Sequence, residues 1–206
     1  MILCCVFSGV SIGAEDVSVW VVGESQGWIQ GESQFTSMGR ENTIQAFGYS
    51  HMLAAEPDPE TGLAGKAKNH FPLTILKRID KASPRLFKAW RKNESLNVTL
   101  RFYRPNPIGD GTTQQFYTVI LQDALISGLR REVRSTLEPG QSTYPPIERV
   151  SFTYRVIEER WESDEFEFGD EWRTDTGKIP LCDVNFDGIV NMNDFAILAD
   201  EWMTQY

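Results

Sequence analysis

The sequence predicts a mainly β fold, a sandwich or barrel carrying one helix, and three observations predict it. Val98, Leu100 and Phe102 alternate with Thr99, Arg101 and Tyr103, the mark of a half-buried strand. Val150, Phe152, Tyr154 and Val156 alternate with Ser151, Thr153 and Arg155 in the same way. One helix start stands among these strands, at Ser83-Pro84, with Ser83 as N-cap and Pro84 at the first helical position.

In chain order, the apolar β-branched run 17–22 is the first strand. Gly-Glu-Ser-Gln then occurs twice, at 23–26 and 31–34, and turn chemistry accounts for both copies. Residues 43–51 form a second strand, and residues 52–69, with Pro57, Pro59, Gly62 and Gly65, read as a long irregular segment. Strand 71–76 feeds the helix, which carries Leu86, Phe87 and Trp90 on one side and Arg85, Lys88, Arg91 and Lys92 on the solvated side. Strands 97–104 and 115–126 make a hairpin across a Pro/Gly turn, followed by a basic cluster of Arg130, Arg131 and Arg134. A Pro/Gly loop, 137–146, precedes the last strand at 150–156. His51 and His70 have no Cys, Asp or Glu at ligand spacing and read as loop or sheet-surface residues.

At 206 residues the chain holds one full-sized core and a small appendage; 41% hydrophobic and 12% aromatic content excludes a disordered chain. A net charge of -9 argues against nucleic acid as the main partner, and no apolar run reaches the roughly 18 residues of a membrane span. Charge is unevenly spread: 66–92 is basic and 158–171 strongly acidic, either two solvated faces or two halves of a subunit interface. Residues 1–14 have the apolar centre and small-residue end of a signal peptide but no basic residue before the apolar run. They read either as a signal cleaved after Ala14, in a secreted protein, or as a hydrophobic N-terminus. Cys4 and Cys5 lie within them and would leave with a cleaved signal; Cys182 would then stand alone, with no intrachain disulfide framework.

The segment 65–90, GKAKNHFPLTILKRIDKASPRLFKAW, resembles the signature of the Hcp family, the tube proteins of type VI secretion. GWIQGESQ at 27–34, DPETGLAGK at 58–66 and ERVSFTY at 148–154 resemble further parts of that family in the same order, so the likeness spans about 17–172. It implies a two-sheet β-barrel with one flanking α-helix, as in phage tail-tube proteins. It also implies hexameric rings of identical subunits, stacked into a tube that carries effector proteins in its lumen, with the loop at 56–66 reaching a neighbour.

Beyond a polar linker at 173–180, residues 181–206 carry the single metal-ligand spacing. Asp183, Asn185 and Asp187 stand at positions 1, 3 and 5 of an EF-hand-like loop, with the Ile189 carbonyl at 7, Asn191 at 9 and Asp194 at 12. Gly188 at position 6 lets the loop turn so that these hard oxygen donors converge on Ca²⁺. With the helical stripe Phe195, Leu198, Ala199 and Trp202, the loop resembles one dockerin repeat, with a cohesin-like or second dockerin-like module as the implied partner. The domains are therefore 1–14, a barrel at 15–172, the linker and the calcium-binding repeat.

No nucleophile elbow, zinc-protease helix, Walker loop or dinucleotide fingerprint occurs, and the carboxylates of 158–171 read as a solvated strand end. The expected function is thus a structural tube subunit of a type VI-like apparatus, not an enzyme. The other reading is a secreted binding protein that uses the same barrel and is held to a scaffold by its calcium-binding tail.

Overall fold

Six strands close a barrel, and most of their inward faces are the apolar halves of the alternations in the sequence; a register shift between Phe102 and Tyr103 turns Tyr103 inward in place of the expected Phe102. The computed structural model describes residues 16–57, 61–135, 137, 144–164 and 166–172. The segments 1–14, 173–180 and 181–206, with all six calcium-ligand positions, lie outside the described residues. Two compact units are distinguished, one of residues up to 53 with 70–170, the other holding 54–69 and 171–172.

In the first unit, β1 (Asp16–Gly23) pairs antiparallel with β3 (Ile44–Ser50) on one edge and β7 (Leu96–Pro105) on the other. β3 pairs with β6 (Leu73–Arg78), β6 with β9 (Ile147–Thr153), β9 with β8 (Thr113–Glu132) and β8 with β7, which returns the ladder to β1. Registered pairs such as Val19 with Leu100, Leu100 with Val119, and Ile75 with Val150 point the same way. All are fully buried, so period-2 patterning on each strand fills the interior. β2 (Gly27–Ile29) adds to β1, and β10 (Val156–Trp161) and β11 (Phe166–Glu171) extend the sheet outward from β8. The mainly β barrel with one helix is borne out; its hydrogen bonding runs continuously around one closed sheet.

The 20-residue strand β8 makes closure possible. Its first half pairs with β10 on one edge and β7 on the other, while residues 125–132 pair with β9. Asp123 takes a positive φ of 50° and the register shifts between Ile126 and Gly128, which bends the strand where its partners change. It therefore runs past the expected end at 126 and takes Arg130 and Arg131 into the sheet. The expected closing strand 150–156 is in fact two strands, because Tyr154 and Arg155 break the ladder between β9 and β10. Residues 158–171 are not a bare acidic stretch but β10 and β11, whose polar sequence hides their pairing.

In the second unit, most of residues 52–69 form a two-stranded sheet of β4 (Leu53–Pro57) and β5 (Ala64–His70), replacing the expected irregular segment. Neither strand alternates apolar with polar residues, which is why periodicity misses them.

The second Gly-Glu-Ser-Gln is explained by close approach. The Gly31 N–H donates to the Asn42 carbonyl at 2.8 Å, and Ser33 N–H to that of Thr43 at 3.1 Å. A Cβ on Gly31 would lie 2.4 Å from the Thr43 carbonyl oxygen and 2.6 Å from Ile44 Cα. Gly31→Ala is expected to destabilise the barrel by ~1–3 kcal/mol, the cost of overpacking, seen as a lower urea midpoint.

Candidate functional site

On β6 the inward phase is Leu73, Ile75, Lys77, and on β9 it is Glu148, Val150, Phe152, so the pattern carries one cation and one anion to the core face. Lys77 and Glu148 are registered partners across the two strands, and Arg131 of β8 is registered with Glu148 on its other side. Both Lys77 and Glu148 are 0% exposed. The Lys77 ammonium has four oxygens around it: the Arg78 carbonyl at 2.7 Å, Asp80 Oδ1 at 2.8 Å, Ser83 Oγ at 3.0 Å and Glu148 Oε2 at 3.1 Å. Arg131 Nε donates to Glu148 Oε1 at 2.6 Å. Burial alone would raise the Glu148 carboxyl, but the bonds from Ser83, Lys77 and Arg131 outweigh it and hold the group below the ordinary carboxylate range.

This network sets the one helix, α1 (Ser83–Lys92). Ser83 is its first residue and Ala82 its N-cap, correcting the expected Ser83 cap. The Ser83 hydroxyl is turned inward instead, donating to Glu148 Oε2 at 2.7 Å, while Asp80 Oδ1 accepts the Ala82 N–H at 3.0 Å. Arg131 Nη2 also donates to the Ser83 carbonyl at 3.0 Å. With Ser83 held down, the buried face is Ser83, Leu86 and Ala89. Phe87 and Trp90, expected on the same side as Leu86, are 47% and 41% exposed. They stack on each other, centroids 5.7 Å apart, beside Leu129 and Arg131 in a shallow groove. Asn93 ends the helix in the left-handed region, and Arg91 and Lys92 oppose the helix dipole in its last turn.

Glu94 follows directly and anchors the first Gly-Glu-Ser-Gln. Its Oε1 accepts the N–H groups of Ser25 at 2.8 Å and Gln26 at 2.7 Å, and its Oε2 the Gln26 side-chain amide at 2.8 Å. Burial opposes its ionisation, yet these bonds hold the carboxyl below its usual range. Gly23 has no room for a side chain here, since a Cβ would meet Glu94 Oε1 at 2.4 Å.

His51 lies in the loop between β3 and β4, as expected, but His70 is buried and not at the sheet surface. The Tyr154 hydroxyl lies 2.7 Å from His51 Nε2 and 3.0 Å from His70 Nδ1, and His70 Nε2 lies 3.2 Å from Asp170 Oδ2. His70 and Tyr154 are buried. Burial pushes the His51 imidazole below its ordinary pKa against the opposing charge of Glu159. This chain of polar groups ties β11 to the β9–β10 break.

At the far half of β8 lies an apolar surface that pattern reading missed. Trp161, Phe166 and Phe168 are 36%, 67% and 67% exposed on β10 and β11. The Phe-x-Phe spacing was its one signal, masked by the acidic residues around it.

A filled closed barrel, with apolar side chains displayed outside it, defines an assembly module more than a reaction vessel. The chain belongs to the type VI secretion system Hcp family: the family model described as "Type VI secretion system effector, Hcp" matches residues 20–161. It is thereby a structural tube protein and not an enzyme. A curated relative from Pseudomonas aeruginosa, "Major exported protein", is 32% identical over 137 residues, covering 66% of this chain and 78% of its own. A crystal structure of an Hcp protein superposes with a TM-score of 0.69 at 24% identity, over 78% of this chain and 99% of that one. The secreted protein Hcp3 from Pseudomonas aeruginosa gives 0.61 at 27% identity, over 78% and 100%. Among the described residues no helix is long and apolar enough to cross a membrane.

Removing the charge of Glu148 takes from the buried Lys77 its fully buried counter-charge and leaves it Asp80 alone. Glu148→Gln is expected to cost about 3–5 kcal/mol near neutral pH, as for other broken buried pairs. Because folding lowers this pKa, the stabilisation is complete above the ordinary carboxylate value of about 4.3 and is lost as pH falls through the lowered folded value. Urea midpoints of wild type and variant should therefore differ at neutral pH and converge in acid.

Proposed function

We propose that this chain forms the wall of a secretion tube, with copies closing head-to-tail into hexameric rings that stack and pass effector proteins through the lumen. Family membership supports this, as does the export named for the Pseudomonas aeruginosa relative. The observation that carries it is the placement of Phe87, Trp90, Phe166 and Phe168 on the outside of a barrel whose interior is already full. Apolar groups left in water on a soluble fold mark surfaces that another chain covers. A ring requires two different patches on each copy, since only a heterologous contact closes through rotation. Light scattering and electron microscopy of the purified full chain should show six-membered rings that persist in a chelator. A chain that stays monomeric at high concentration overturns this reading.

The tail adds a calcium site within the same function. Asp183, Asn185, Asp187, the Ile189 carbonyl, Asn191 and Asp194 would hold Ca²⁺; they lie outside the described residues, and the support is the donor set itself. A cohesin-like or second dockerin-like module is the partner such a tail would meet. Calorimetry should show binding with Kd of roughly 10⁻⁴ to 10⁻³ M, as in extracellular calcium modules, and its loss in Asp187→Ala. Equal heats from the two proteins would exclude the site.

A further inference from the structure

We infer that the outer face of α1 receives the β10–β11 hairpin of the next copy, an inference that rests on the self-assembly proposed above and specifies its surface. The two patches match in both apolar content and charge. The α1 face offers the exposed Phe87–Trp90 stack, bordered by Lys88 and Arg91, which form no ion pair with any described residue. The hairpin offers Trp161, Phe166 and Phe168, with Asp164 exposed in the turn before β11; Glu167, between the two phenylalanines, faces the other side of the strand and pairs with Arg160. Arg160 is the one cation among the described residues of β10 and β11, and it is already paired with Glu158 and Glu167. The hairpin is therefore strongly acidic and the helix face strongly basic.

One copy cannot satisfy its own patches. α1 borders β8 at Ser127–Arg131, where Phe87 and Trp90 line the groove with Gly128 and Leu129. The far end of β10 is registered with Tyr117, near the other end of the same strand. Eleven residues separate Tyr117 from Gly128, up to ~36 Å of extended chain at about 3.3 Å per residue. Complementary surfaces at the two ends of one strand meet only between copies, and they meet head-to-tail. β11 also ends the path of its sheet, so no further strand of the described residues covers its outer edge. Burying five phenylalanine and tryptophan rings supplies the affinity, and the opposed charges fix orientation and speed of encounter.

Charge exchange tests this directly. Variant one carries Lys88→Glu with Arg91→Glu, and variant two carries Asp164→Lys with Ser163→Lys; all four sites are exposed, and thermal melts check that each variant folds. By light scattering, each variant alone should assemble at least tenfold more weakly than wild type. An equimolar mixture should recover assembly, because alternating copies restore opposite charges at every contact. Variants that each assemble like wild type, or a mixture that fails to recover, overturn the α1–hairpin contact while wild-type rings keep the tube reading intact. A wild-type chain that remains monomeric overturns both.

Discussion

The buried pair of Lys77 and Glu148 is the constraint on which the rest of the barrel depends. Taking two charges out of water costs several kcal/mol each, and mutual attraction recovers that only when every remaining donor and acceptor is satisfied. Here the ammonium has four oxygen neighbours, and the carboxylate receives Lys77, Ser83 and Arg131. The gain is specificity of arrangement. A one-residue slip between β6 and β9 would send both charges to opposite faces, so the pair pins that register. Through Ser83 it also sets the rotation of α1 about its axis. That rotation decides which side chains the helix shows to the outside.

The order of Asp80, Ser83 and Pro84 in the signature segment thereby acquires a physical meaning that cap chemistry alone does not give. Asp80 accepts from the Ala82 amide and from Lys77, Ser83 reaches into the barrel, and Pro84 stands in the first turn of the helix, where no amide donor is needed. The two Gly-Glu-Ser-Gln turns similarly look alike and serve different ends. Gly23 makes room for the Glu94 carboxylate, and Gly31 makes room for the backbone of Thr43 and Ile44.

Much of the barrel was legible because its strands obey a period of two: β1, β7 and β9 lie within a few residues of their expected spans. Where residues of one phase are all apolar, burial is readable from the chain alone. The helix was placed correctly but rotated incorrectly, because apolar character favours Phe87 and Trp90 as core residues. Only a tertiary contact, Ser83 with Glu148, turns Ala89 inward in their place. β10 and β11 were hidden because outer strands face water and carry carboxylates where inner strands carry valine. The role of His70 was hidden for another reason: its partners Tyr154 and Asp170 lie 84 and 100 residues away, beyond any local pattern.

The length of β8 has a mechanical consequence. A single strand runs from the neighbourhood of α1 to that of the hairpin, so a pull between those two ends is directed along its axis. Its hydrogen bonds to β7, β9 and β10 lie across that axis and are strained in shear, many at once, where a peeling force would break them singly. A filament of such units would resist stretching far better than the stability of one isolated barrel suggests.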